Sequence, residues 1–393
     1  MAGHWVKGVI KKNLSLIVLT VFILLPLALA AHFWITDPRG VMRAIYPLQA
    51  SVSSIGLRCS AGSPAWLESV AKLGVWELKA LSTQVAFIND AGEMFHCESG
   101  WQNDFLSERV EQDSRFRYGS LTKPITSAAV HYLLKNTGLS PDMDVVSYFS
   151  GLESRDEGGG AGEATLDEFM RHISGIRGEV FVGKGKPWCP YSMSQAENFV
   201  INDELKGEFR YSNLGYCILG EVIAKEMGGD YRTSIDQIFG LSARGISFVD
   251  SGDGAGLVDR DYRFNDFHGE SIPENFDHYA ISSTAGMVGN ASSYATLMRD
   301  ILSESYEGFV DERVTECDPG LIRSCYGRAF YAYQSAVGSV VYVKEGYMPG
   351  SAGVVMINSK NEVLVWLGNS DTDNAASGQA MQAFLDRVME IGF

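Results

Sequence analysis

The chain predicts an α/β protein of two lobes, in which an antiparallel sheet flanked by helices joins a mostly helical lobe. Three observations carry this. Residues 84–88 and 93–97 read as two short apolar strands about the turn Asn89-Asp90-Ala91-Gly92. Comparable runs return only at 340–343, 353–357 and 362–367, the last two joined by Asn358-Ser359-Lys360-Asn361. Between them, about 105–280 reads as largely helical, so the early hairpin pairs with strands that arrive much later.

Taken in order, the chain opens with Lys7, Lys11 and Lys12, followed by an apolar stretch over 14–35 that is broken by Ser15, Thr20, Pro26 and His32. About 20 such residues span a bilayer, and the flanking lysines keep the N-terminus in the cytoplasm. Two readings stay open for 1–40. One is an uncleaved single-pass anchor in the inner membrane. The other is a signal peptide cut at Ala28-Leu29-Ala30, which would release the chain to the periplasm. Both send the remainder across the membrane. Residues 41–64 read as a linker and 65–393 as the main folded domain. Within that domain a helix is expected near 66–81, then the hairpin. A helix follows Lys123, with Ile125, Ala128, Ala129, Val130, Leu133 and Leu134 on its apolar positions and Gly138 as its stop. The stretch 156–163 is a glycine-rich, low-complexity loop, and an amphipathic helix over about 375–391 closes the chain.

At 393 residues the chain can bury a large core, and its net charge of −16 argues against nucleic acid as a partner. The same charge repels an anionic membrane surface everywhere except at the basic N-terminus. Six cysteines form an even set, which suits an oxidising compartment. Cys317 and Cys325 bracket a short loop and are expected to bond. Cys59 can tie the segment after the apolar stretch to Cys97, and Cys217 fits a buried free thiol. With no Cys-x-x-Cys and no His-x-x-x-His pair, no metal site is expected.

The chemistry rests on three short motifs. In Ser120-Leu121-Thr122-Lys123, which follows Tyr118-Gly119, residues three apart share a helix face. The Lys123 amine therefore lies beside the Ser120 hydroxyl. The positive end of the helix dipole favours an alkoxide-like oxygen and disfavours a charged lysine, which makes Ser120 a nucleophile with an amine as its proton acceptor. In Tyr211-Ser212-Asn213, residues two apart in an extended segment point the same way, so a phenol and an amide enter one site. In Lys344-Glu345-Gly346, at the end of a strand-like run, a lysine can attract a carboxylate and a glycine allows close backbone approach.

In this order the three resemble the motif set of serine β-lactamases and penicillin-binding proteins. With tyrosine in the middle triad, the chain looks like the class C β-lactamase family, over roughly residues 80–370. The His172-Ile173-Ser174-Gly175 turn, Thr284-Ala285-Gly286-Met287 and Pro349-Gly350 extend the likeness. The resemblance implies a β-lactamase/transpeptidase-like fold. It also implies Ser120 as the acylated nucleophile, Lys123 as base or proton shuttle and Tyr211 as their acid/base partner. Asn213 would hold substrate or lysine, and Lys344 would anchor substrate. The amides of Ser120 and Tyr347, the latter following Gly346, would form an oxyanion hole. Two departures from the family's pattern stand out, Glu345 where a hydroxyl residue is usual and Tyr347 where a small one is. They place an esterase or D-peptidase ahead of a true β-lactamase.

These observations predict a cell-envelope serine hydrolase, free of cofactors, acting on a D-amino-acid peptide, an ester, a β-lactam or another small or peptidoglycan-type substrate. An envelope transacylase and a non-catalytic penicillin-binding or sensor module are the alternatives. His172 is expected to hold its own turn, and the loops 176–206 and 300–335 to shape the pocket.

Overall fold

The computed structural model describes residues 20–393 apart from 104–106, 151–162, 183–184, 251–255, 265–275, 311–316 and 373–376. It divides into two compact units, Met1–Ser51 and Val52–Phe393.

Helix α1 runs over Thr20–Thr36 and α2 over Pro38–Ile55. No single described helix is long and apolar enough to cross a membrane. The two pass that test only as a pair, bent by 118°. The first part of the apolar stretch, 14–19, lies outside the described residues. The segment expected to be a linker, 41–64, is instead helical as far as Ile55, and it then forms the short strand β1 (Arg58–Cys59). No glycine or proline cluster interrupts it before Gly56, so helix propagates where an irregular connector was expected.

The remaining strands are β2 (Thr83–Ile88), β3 (Met94–Ser99), β4 (Phe116–Arg117), β5 (Ser247–Phe248), β6 (Met287–Gly289), β7 (Cys325–Tyr326), β8 (Tyr331–Gln334), β9 (Val340–Met348), β10 (Ser351–Ile357) and β11 (Val363–Gly368). Eight of them form one antiparallel sheet in the order β1-β3-β2-β11-β10-β9-β8-β7. The early hairpin meets the late strands through β2 and β11, with Ala86 opposite Val365. The expected interrupted sheet is therefore present. The third motif lies inside β9, not at the end of a strand, because pairing with β10 continues to Met348 opposite Ser351. A second, three-stranded sheet, β4-β6-β5, accompanies the helical lobe and was not foreseen.

Strands β2, β10 and β11 are buried along their whole length, as near-continuous apolar runs require when helices cover both faces. Alternation splits them. Val354, Met356 and Trp366 pack with α3 (Ala65–Trp76) and the closing helix, while Val355, Ile357 and Val365 face the helical lobe. That lobe holds α4 (Thr122–Asn136), α5 (Val145–Ser150), α6 (Leu166–Met170), α7 (Trp188–Tyr191), α8 (Asn213–Met227) and α9 (Tyr231–Phe239). Helix α10 (Ala291–Ser303) joins the same core, and α11 (Gln379–Ile391) closes the chain. The low-complexity stretch 156–163 lies, up to Gly162, outside the described residues.

Disulfides join Cys59 to Cys97 across β1 and β3, Cys189 to Cys217, and Cys317 to Cys325. The second overturns the free-thiol reading of Cys217. That cysteine does sit on a buried helix face, but the α7 segment brings Cys189 against the same face.

Candidate active site

Ser120 sits in a single 3₁₀ turn, Gly119–Leu121, that feeds directly into α4. Gly119 has φ of +52°, and a Cβ there would lie 2.7 Å from the Tyr347 carbonyl oxygen. A Cβ on Gly346 would lie 2.0 Å from the Tyr118 carbonyl oxygen. The two glycines thus dock the nucleophile's turn onto β9 main chain against main chain. Gly346 was expected to admit a substrate backbone; what it admits is the turn that carries Ser120.

Lys123, one turn on, is fully buried. Its Nζ lies 3.0 Å from Ser120 Oγ, 2.8 Å from Asn213 Oδ1 and 3.1 Å from the Thr284 carbonyl oxygen. Asn213 Oδ1 and the Thr284 carbonyl can only accept. They use both N–H bonds of an uncharged amine and leave its lone pair for the serine proton. Burial pushes the Lys123 pKa down to about 7, against a weaker upward pull from Glu179. The site therefore holds a base poised at neutral pH.

Tyr211 and Asn213 both enter the cleft from the start of α8, as the extended spacing predicts. Ser212 caps the helix, accepting from the Gly215 amide at 3.0 Å. The Tyr211 ring opens to the cleft, 44% exposed. Its hydroxyl accepts from Lys344 Nζ at 3.2 Å. Removal of that hydroxyl from water raises its pKa, so the phenol stays neutral and has a proton to give. Lys344 is buried, and it donates to the Tyr326 hydroxyl as well as to Tyr211. Burial, reinforced by the nearby Lys123, holds its pKa well below the usual lysine range.

His172 has a left-handed backbone, φ +59°, and its Nδ1 accepts from the Ser212 amide at 3.1 Å. Its ring packs against Tyr211 with centroids 4.4 Å apart. Its side chain holds the middle triad, where its own turn was expected, and no spacing rule shows that bridge. Sequence reasoning also missed the Thr284 carbonyl as a lysine partner and Tyr326 as the partner of Lys344. The cleft is a cavity of about 430 Å³ whose lining includes Ser120, Glu179, Phe181, Phe209, Arg323 and Tyr331. The loops 176–206 and 300–335 supply Glu179, Phe181, Arg323 and Tyr331. Among the described residues, no group of three or more histidine, cysteine, aspartate or glutamate side chains is placed to hold a metal ion.

An antiparallel sheet with a helical lobe over an SxxK serine defines a β-lactamase/transpeptidase-like protein. The Beta-lactamase family model matches residues 68–385, and the chain belongs to that family. A probable fimbrial assembly protein FimD, serogroup H1, of Dichelobacter nodosus is 28% identical over 380 residues, covering 95% of this chain and 96% of that protein. Among solved structures, D-amino acid amidase from Ochrobactrum anthropi SV3 superposes with a TM-score of 0.66 at 16% identity, covering 84% of this chain and 99% of that one. The class C beta lactamase from Rhodobacter sphaeroides gives 0.62 at 17% identity, covering 83% and 99%. These likenesses are to the fold.

Proposed function

We propose that this chain is a cell-envelope serine acyl hydrolase that opens an amide or ester through an acyl-enzyme on Ser120, with D-amino-acid amides, peptides and esters ahead of β-lactams as substrates. The observation that carries it is the Lys123 amine, fully buried and 3.0 Å from Ser120 Oγ. Ser120 Oγ bonds to the substrate carbonyl carbon and its proton passes to Lys123 Nζ. The carbonyl oxygen takes the negative charge, met by the amides of Ser120 and Tyr347. Collapse breaks the bond to the leaving nitrogen or oxygen, which takes up the proton through Tyr211. Water then adds to the acyl carbon, giving its proton back through the same groups, and the acid departs.

Glu179 adds a carboxylate to the cleft. Its Oε2 accepts from Asn213 Nδ2 at 3.4 Å, so a substrate ammonium beside the scissile carbonyl would find a counter-charge. Three disulfides and the apolar N-terminal stretch support a site outside the cytoplasm, held at the inner membrane or released from it. The near full-length match to fimbrial assembly proteins favours a second reading, an envelope transacylase in which another acceptor replaces water on the same acyl-enzyme.

Intact mass after exposure to a fluorophosphonate tests the reading. We expect one phosphonyl adduct per chain, absent in Ser120→Ala. A folded chain that takes up no label would overturn it.

A further inference from the structure

The wall of the cleft carries two basic side chains, Lys344 and Arg323, and of the two Arg323 meets a carboxylate. Lys344 is enclosed, with its Nζ bonded to the hydroxyls of Tyr211 and Tyr326. Arg323 arrives from the loop closed by the Cys317–Cys325 disulfide, with a left-handed backbone at φ +65° that few non-glycine residues adopt. Its guanidinium meets Glu345 as a fork, Nε to Oε2 at 2.6 Å and Nη2 to Oε1 at 2.9 Å. Glu345 Oε1 also accepts from the Tyr347 hydroxyl at 2.9 Å. The Glu345 side chain is only 5% exposed, against 30% for Arg323. A carboxylate this buried, accepting three hydrogen bonds, is a fixed counter-ion.

The place of the pair matters. Strand β8 leaves β9 where Tyr331 faces Val343, so the stretch Lys344 to Tyr347 runs on along the cleft without that neighbour. A ligand laid beside this edge meets Glu345, the neutralised Arg323 and aromatic rings. Phe209 stacks on Tyr326 with centroids 5.0 Å apart, and Phe181 and Tyr331 extend the apolar wall. Glu179 adds a second carboxylate to the lining. A substrate carboxylate entering on the Arg323 side would lose its water and find that guanidinium already paired, which costs more than leaving it outside.

We propose that the cleft is built for an amide or ester whose leaving group carries no carboxylate, and that Glu345 sets this preference by locking Arg323 in a closed ion pair on the cleft wall. The inference rests on the acyl-hydrolase reading and narrows it. It makes Glu345 a specificity residue, whereas a neutral residue at 345 would leave the Arg323 charge facing the ligand.

The test compares two phosphonate diesters, ethyl phenyl and ethyl 3-carboxyphenyl benzylphosphonate, which differ only in a carboxylate on the leaving phenol. The second-order rate of Ser120 phosphonylation is read by intact mass on the full chain. We expect the phenyl reagent to react about tenfold faster. In Glu345→Gln the ratio should close by about tenfold, and in Glu345→Gln with Arg323→Met it should open again. Because the readout is a ratio on one sample, partial loss of folded protein cancels from it. Equal rates in the unaltered chain, a faster reaction with the carboxyphenyl reagent, or a ratio that Glu345→Gln leaves unmoved would overturn the proposal. Labelling of Ser120 by a fluorophosphonate with neither aryl ester reacting would overturn this substrate class alone. Failure of all three reagents would remove the hydrolase reading beneath it.

Discussion

Lys123 reaches its working state through where it is buried, and the chemistry follows from that. Acylation needs the amine unprotonated, so its rate should rise with pH through an ionisation near 7, the value to which burial lowers this lysine. The pH profile of phosphonylation measures it directly, and a flat profile between pH 6 and 8 would exclude Lys123 as the base. Lys123→Met should slow labelling by about 10³-fold. Asn213→Asp, which puts a negative charge against the amine, should move the ionisation to higher pH. The pairing of Ser120 with Lys123 was legible because three residues on one helical turn fix a contact without any tertiary information. The Thr284 carbonyl, Tyr326 and Arg323 were not, since each reaches the site from an element whose position only the folded chain defines.

For the elements, the decisive contact is between the Ser120 turn and β9. Gly346→Ala would put a methyl group 2.0 Å from the Tyr118 carbonyl oxygen, a backbone atom that cannot swing away. We expect a loss of about 1–3 kcal/mol or more in stability, together with a drop in labelling rate, read by thermal melting and intact mass on the same preparation. Full labelling at unchanged melting temperature would show that the turn and the strand are not docked as described. Of the eight-stranded sheet, the central strands were readable, because apolar runs such as Val354-Val355-Met356-Ile357 announce burial on both faces. The two-residue strands β1, β4, β5 and β7 were not, since so short a run has no period. The 41–64 segment failed for a different reason. Its mixed composition, with Pro47 inside it, resembles a connector, but the helix runs through that proline to Ile55.

At the scale of the molecule, the disulfides fix which segments stay with the sheet. Cys59 and Cys97 are separated by 38 residues, a loop whose closure contributes about 4 kcal/mol in the chain-entropy treatment. Replacing both with alanine should lower the melting temperature by several degrees, with labelling by the fluorophosphonate retained below the transition. An unchanged melting temperature would mean that the bond adds nothing to the folded chain. The even cysteine count was readable from sequence as an oxidising environment, but the partner of Cys217 was not, because Cys189 meets it only when α7 is laid on α8. The main-chain joint between Gly119 and Gly346 has a broader meaning. Its closest approaches run from main chain to main chain, so the reactive centre and the recognition walls can change independently. Loops 176–206 and 300–335 could be exchanged for those of a distant relative, and the chain would inherit a new appetite while keeping its nucleophile in register.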